Sequence, residues 1–279
     1  MPIVPALLAS VAGVAWFNAK TQLSHDVRLL YPYWARSRSI RAREKRDRVN
    51  FFYILEEHAT AKATAGSPCL VYEGKTWTYK EVYDTVLQYG TWLKQEYSIT
   101  PGELVAMDFM NKPQFIFLWL GIWSLGAHPA FINYNLTGKP LLHSIRSSTS
   151  RLLFVDEEVK YRVSQEVLDA LTTPGEEKPV QVFLFDEATE QHILSIEGVR
   201  EPDSSRAGAK GPDMANLIYT SGTTGLPKPA IVSWNKAYIG GGIAGACMSM
   251  KRSDRFYTVR FLTGKPSNLH RFSFQRAQS

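Results

Sequence analysis

The stretch "IYTSGTTGLPKPAIV", Ile218 to Val232, decides how this chain is read. Nine of its first eleven residues are Tyr, Thr, Ser, Gly, Pro or Lys, and an apolar run follows. Gly222 and Gly225 permit positive φ and close approach by a bulky ligand. Backbone N–H groups from Ser221, Gly222, Thr223, Thr224 and Gly225 can converge on one anion, with neighbouring hydroxyls that include Thr220. Lys228 adds a mobile positive charge, and Pro227 and Pro229 stiffen the base of the turn. A phosphate-binding loop is the natural functional reading. A flexible Ser/Thr/Gly hairpin with no ligand has the same composition.

The stretch is not a Walker loop, which needs G-x-x-x-x-G-K-[ST] with a helix opening at the lysine. Here Gly222 and Gly225 are three apart, and Lys228 leads into Pro229 and a strand. "ANLIYT" reads as a strand entering the loop and "KPAIVSW" as a strand leaving it, so the loop joins two strands.

Upstream, strands and helices alternate. Asn50–Ala65 reads as a helix. Pro68–Tyr72 and Thr76–Thr78 read as a hairpin turned at Glu73-Gly74-Lys75. Thr78 and Glu81 form a capping box ahead of a helix whose apolar face is Val82, Val86, Tyr89 and Leu93. "LVAMDFM", "AHPAFIN", "RLLFVD" and "VQVFLFD" read as apolar strands. Helices are expected over Asn111–Gly126, Leu141–Ser148 and about Lys160 to Leu171, and Glu197–Gly211 reads as a polar loop. The Phe-, Leu- and Trp-rich helix after Pro113 runs only about 13 residues, too short to span a bilayer, so it is expected to be buried. This pattern predicts an α/β fold with a largely parallel sheet and helices on both faces.

The N-terminus has a different character. Pro2 to Ala19 carry no charged side chain, close on Trp16 and Phe17, and sit at the lower edge of the length a membrane-spanning helix needs. A basic run follows: Arg36, Arg38, Arg41, Arg43, Lys45, Arg46 and Arg48, with Glu44 and Asp47 between. The expectation is an apolar anchor helix with a basic segment on its cytosolic side, drawn to anionic head groups. A cleaved signal, a buried domain helix and a solvated basic face are the competing readings. Aromatics do not interleave with the arginines and no nucleic-acid motif occurs, so nucleic acid is not expected as a partner. The chain has 279 residues, net charge +6, 44% apolar and 21% charged residues, all ordinary for a globular protein. Cys69 and Cys247 lack disulfide or zinc spacing, and the six histidines show no paired spacing, so no metal site is expected. "GGGIAG" at Gly240–Gly245 matches G-x-G-x-x-G literally, but no acidic residue lies about 20 positions on. Close helix packing through small residues is the preferred reading there. No G-x-S-x-G elbow occurs, which argues against a hydrolase.

"YTSGTTGLPK" resembles the signature loop of the AMP-forming adenylate enzymes, which include the acyl-CoA synthetases. "TWTYKEVYD" and "NKPQFIFLWLGIWSLGAHPAFINYNL" resemble earlier segments of that family. "FINYNLTGKPLLHSI", behind an apolar and a basic segment, is most similar to the fatty acid transport proteins, or very-long-chain acyl-CoA synthetases. The resemblance runs from about Val49 to Val259. It implies activation of a fatty acid by ATP: the carboxylate attacks the α-phosphate, pyrophosphate leaves, and CoA displaces AMP. The loop residues Thr220, Ser221, Gly222, Thr223, Thr224, Gly225 and Lys228 would hold the β- and γ-phosphates, with Mg²⁺ arriving on the nucleotide. ATP, Mg²⁺ and CoA are the expected cofactors and co-substrates. A fatty acid and a membrane are the expected partners, and a homo-oligomer is compatible with the family.

Three regions are expected: an anchor and basic segment over 1–48, a partial adenylate-forming domain over 49–259, and an aberrant or disordered tail over 260–279. "SDRFYTV" fits the family, but the Pro-Leu-x-His segment that should follow is replaced by "RFLTGKPSNLHRFSFQRAQS". The family's adenine, ribose and hinge segments, and the C-terminal lysine that drives adenylation, are not found. The expectation is an N-terminal fragment, inactive alone, with no catalytic residue assignable. A membrane-anchored nucleotide-binding protein without chemistry, or a soluble adenylating enzyme of another branch, are the alternatives. Endoplasmic reticulum, peroxisome, lipid droplet and plasma membrane are all compatible locations.

Overall fold

The computed structural model describes residues 3–173, 178–221, 225–248, 250–251 and 254–256. Helices α1 (Ile3–Thr21) and α2 (Leu23–Glu44) come first, then α3 (Phe52–Thr60). A hairpin of β1 (Pro68–Tyr72) and β2 (Lys75–Thr78) leads into α4 (Tyr79–Tyr97). Strands and helices then alternate: β3 (Leu104–Asp108), α5 (Pro113–Ser124), β4 (His128–Ile132), α6 (Gly138–Ser147) and β5 (Leu152–Asp156). After a 3₁₀ turn at Glu157–Arg162 come α7 (Gln165–Thr172), β6 (Gln181–Phe185) and α8 (Glu187–Ser195). A second 3₁₀ turn, Asp203–Arg206, precedes β7 (Met214–Ser221), β8 (Pro227–Ser233) and α9 (Trp234–Cys247).

The main sheet has the order β6-β5-β3-β4-β7-β8. Its first five strands run parallel and β8 alone is antiparallel, as the alternation of strands and helices implied. Strands β3, β4 and β5 are buried on both sides because helices cover both faces. Val105, Met107, Phe131, Leu152 and Phe154 face α3, α4 and α5 in one cluster. The alternate residues Ala106, Ala130, Ile132, Leu153 and Val155 face α6 and α7 in another.

Local signals account for most boundaries. Thr78 accepts from the Glu81 amide and Glu81 reaches back to the Thr78 amide, completing the expected capping box of α4. Pro113 opens α5, which is a buried 12-residue helix as its length required. The structure differs at two places. The helix expected from about Lys160 is a 3₁₀ turn followed by α7, because Ser164 caps a new start by accepting from the Val167 amide. Helix α8 had not been anticipated; Asp186 caps it by accepting from the Thr189 amide.

A spanning anchor is not found: no helix among the described residues is long and apolar enough to cross a membrane. Asn18 and Lys20 lie inside α1, so its apolar run ends short of the helix end. Several of its residues stand exposed, among them Val14, Trp16 and Phe17. Helix α2 is exposed at Tyr31, Tyr33 and Trp34, then turns into the body. Ile40 is buried with Val49, Trp123, Trp234 and Tyr238. Arg43 makes a two-pronged contact with Glu57, at 2.9 and 2.5 Å. The Arg36 side chain fills the space a Cβ on Gly242 of α9 would need. Close packing through a glycine therefore occurs at that position of "GGGIAG". The expected tail over 260–279 lies outside the described residues.

Two buried positions generate tests. Gly126, with φ +76, sits so that an added Cβ would lie 1.9 Å from the Ser205 carbonyl oxygen. Gly126→Ala should destabilise the chain by at least about 2 kcal/mol in denaturant unfolding, since both strain and a clash follow. Asp108 ends β3, fully buried, and among the described residues neither carboxylate oxygen has a hydrogen-bond partner. Burial first, then the Asp156 carboxylate, push its carboxyl up to about 7, against the pull of Arg162. A folded value above the unfolded one means stability complete at acid pH and lost as pH rises towards 7. Between about pH 5 and pH 8 the parent should lose roughly 2 kcal/mol more unfolding free energy than Asp108→Asn. Equal pH slopes for the two proteins would contradict this.

Candidate functional site

The loop of the opening stretch sits on a β-hairpin. Strands β7 and β8 pair antiparallel from Asn216↔Val232 to Thr220↔Lys228 and Ser221↔Pro227. Because β7 runs parallel to β4, its end lies at the carboxyl edge of the sheet, where open α/β folds bind ligands. Cross-strand pairing makes Thr220 and Lys228 neighbours, and the Thr220 hydroxyl donates to the Lys228 carbonyl at 3.4 Å. Thr220, Ser221, Gly225 and Lys228 are all exposed. Gly225 takes φ +82, the conformation for which a glycine was expected. Lys228 has no ion pair among the described residues, so its charge is open to a ligand. Gly222, Thr223 and Thr224 lie outside the described residues. Of the seven loop residues expected to hold phosphate, the structure thus brings Thr220, Ser221, Gly225 and Lys228 to one end of the hairpin.

Sequence reasoning missed what surrounds the loop. Tyr219 is buried beneath it, and its hydroxyl donates to the Ser144 carbonyl of α6 at 2.6 Å. Burial pushes that hydroxyl up to about 12, so it remains a donor at neutral pH. Farther along the same edge, Lys112 binds the buried Asp156 carboxylate at 2.6 Å and Glu158 at 3.2 Å. Burial works against the Lys112 charge, but these carboxylates outweigh it and raise its pKa. A polar cleft of about 220 Å³ opens there, lined by Lys112, Gln114, Glu158, Asp186 and Glu190 among others. Tyr219 could have been suspected as the one large residue between the apolar strand and the small-residue loop. Nothing in the sequence paired Lys112 with Asp156. Among the described residues no group of three His, Cys, Asp or Glu side chains could hold a metal ion.

A hydroxyl- and glycine-rich hairpin with an exposed lysine, at the carboxyl edge of a parallel sheet, is suited to a polyphosphate. A "Very long-chain fatty acid transport protein" of Cochliobolus heterostrophus is 30% identical over 262 residues, covering 92% of this chain and 39% of that protein. The protein of the same description from Saccharomyces cerevisiae is 36% identical over 192 residues, covering 66% of this chain and 28% of its own length. The chain thus spans well under half of these relatives. In fold it matches a "Mycobacterium tuberculosis fatty acyl CoA synthetase" with a TM-score of 0.54 at 19% identity, over 67% of this chain and 35% of that one. The profile described as "AMP-binding enzyme" matches residues 56–260, which takes in the parallel sheet and the whole hairpin. With that match over most of its length and the phosphate-suited hairpin inside it, the chain belongs to the AMP-binding enzyme family.

Proposed function

We propose that this chain is the nucleotide-phosphate-binding part of an enzyme that activates long- or very-long-chain fatty acids with ATP, linked to fatty acid uptake. The observation that carries it is the β7–β8 hairpin, with exposed Thr220 and Ser221 beside the exposed Lys228. Similarity to fatty acid transport proteins over 92% of the chain supports the acyl substrate. In the proposed reaction the fatty acid carboxylate attacks the α-phosphate, a C–O–P bond forms, and the bond to the β-phosphate breaks. Negative charge then grows on departing pyrophosphate. Lys228 and the amides and hydroxyls of Thr220, Ser221, Gly222, Thr223, Thr224 and Gly225 would stabilise that charge where it develops. CoA would then take the acyl group through its thiol and release AMP. No carboxylate cluster among the described residues is built for a metal, so Mg²⁺ would come bound to the nucleotide phosphates.

The 279 residues span 39% and 28% of the two fatty acid transport proteins compared above, and on this reading they would bind polyphosphate without turnover by themselves. Incubated with ATP, Mg²⁺, CoA and a fatty acid, it should form no AMP above background. Its affinity for magnesium pyrophosphate should fall about tenfold or more in Lys228→Ala, the scale of losing one charge-assisted contact. Steady AMP formation would reject the first claim, and an unchanged affinity would reject the phosphate role of Lys228. A purely non-enzymatic nucleotide binder would share the second result. That alternative is favoured over our reading if fusing the chain to the C-terminal remainder of a relative gives no activity.

Residues 1–48 would hold this protein to a membrane surface. Exposed Trp16, Phe17, Tyr31, Tyr33 and Trp34 lie ahead of Arg36, Arg38 and Arg41, the combination that binds an anionic interface without crossing it. Simple deletion of 1–48 would also remove Ile40 and Arg43 from the body. The cleaner variant is Trp16→Ser with Trp34→Ser. Vesicles containing about a third phosphatidylserine should sediment the parent and retain several-fold less of this variant. Equal sedimentation of both would remove these helices from the membrane role.

A further inference from the structure

We infer that Tyr219 is the positioning residue that holds the phosphate hairpin to the body of the fold, through its hydroxyl's bond to helix α6. The inference rests on the reading of the hairpin as a polyphosphate site. Strand β7 is paired to β4 only around Ala130↔Leu217, and β4 ends at Ile132. Past that point β7 continues to Ser221 with β8 as its bonded neighbour, up to Ser221↔Pro227. The end that carries Thr220, Ser221 and Lys228 is therefore a two-stranded ribbon extending from a larger sheet. An isolated two-stranded hairpin is marginal in water, so such a ribbon needs a fixed point.

Tyr219 supplies one. It is the last buried residue before the exposed Thr220 and Ser221. Its ring packs in the cluster that holds Leu141 and Ile145 of α6. Its hydroxyl reaches across 75 positions of sequence to the buried Ser144 carbonyl. That carbonyl also accepts from the Ser148 amide and the Ser147 hydroxyl, both at 3.2 Å. Removing the tyrosine hydroxyl therefore leaves Ser144 satisfied and the ring packing intact. Tyr219→Phe is a subtraction of the tether alone, which separates positioning from stability.

The test is calorimetric titration of the 279-residue chain with magnesium pyrophosphate and, separately, with AMP, which lacks the β- and γ-phosphates. Tyr219→Phe should bind pyrophosphate about five- to tenfold more weakly, the scale of one lost hydrogen bond, with AMP binding unaltered at whatever level the parent shows. Hydrogen exchange at the Thr220 and Ser221 amides should quicken while the β3 and β4 amides stay protected. A thermal midpoint that falls with no change in pyrophosphate affinity or in exchange at the hairpin would make Tyr219 merely structural and overturn the inference. Ser221→Ala is the control for the underlying reading. If Ser221→Ala weakens pyrophosphate and Tyr219→Phe does not, only the positioning role fails. If the parent binds no pyrophosphate, the polyphosphate reading fails and the positioning role with it.

Discussion

Strand β7 pairs with β4 in parallel and with β8 antiparallel. Each ladder imposes something different. The parallel side fixes direction, so that β7 ends at the same edge as β3, β4 and β5. The antiparallel side forces the chain to turn back within a few residues, because β8 starts at Pro227 and β7 stops at Ser221. A turn of that length at that edge leaves no room for a crossover helix, which parallel pairing would require. The loop is therefore short and small-residued, with Lys228 held opposite Thr220 by the register of the two strands. Parallel neighbours also explain why the strands feeding this edge read as continuous apolar runs: both their faces are covered.

The same hairpin is fastened at its other end. Strand β8 runs directly into α9, whose start is capped by the Ser233 hydroxyl accepting from the Lys236 amide. Trp234, the first residue of α9, is buried against Trp123 and Phe51, with ring centroids 5.1 and 5.6 Å apart. Trp123 in turn donates from its indole nitrogen to the Ala215 carbonyl in β7 at 2.8 Å. One aromatic group thus joins α5, β7, α9 and the segment after α2. The basic helix α2 reaches this group through Ile40 and lies against α9 at Gly242. The arginines of α2 and of the segment just after it are consequently divided in role. Arg43 and Arg48 are engaged with Glu57 and Asp203 of the body, whereas the turn near Trp34 stays outward.

Much of this was legible in the sequence, for identifiable reasons. The hairpin loop declared itself by composition, and the capping box of α4 by two residues at fixed spacing. The alternation of strands and helices from β3 to β5 followed from apolar patterning and turn signals. Sequence reading failed where the determining contact is distant. The bond from Tyr219 to Ser144 and the ion pair of Lys112 with Asp156 join residues 75 and 44 positions apart. No local pattern encodes them. The N-terminal run was read as a spanning anchor because hydropathy reports composition and not surroundings. Asn18, Lys20 and the packing of Ile40 set where that apolar character ends. Helix α8 was missed because its face is weakly apolar, although Asp186 with Thr189 was a readable cap.

The division between what this hairpin supplies and what it cannot supply follows from where charge moves. A site that holds the β- and γ-phosphates favours the transition state only to the extent that charge grows on them as the bond to the α-phosphate breaks. In the proposed reaction Lys228 and the loop amides would meet that condition, since the leaving group would gain charge next to them. They do nothing to align the attacking carboxylate, whose approach must be in line with the departing oxygen. Alignment is an entropic task that needs rigid contacts on both reactants. On the leaving-group side the rigidity of such contacts would depend on how firmly the ribbon is tied to α6 and α9. Phosphate binding and turnover are thus separable on physical grounds, and the role proposed for the hairpin belongs to the first.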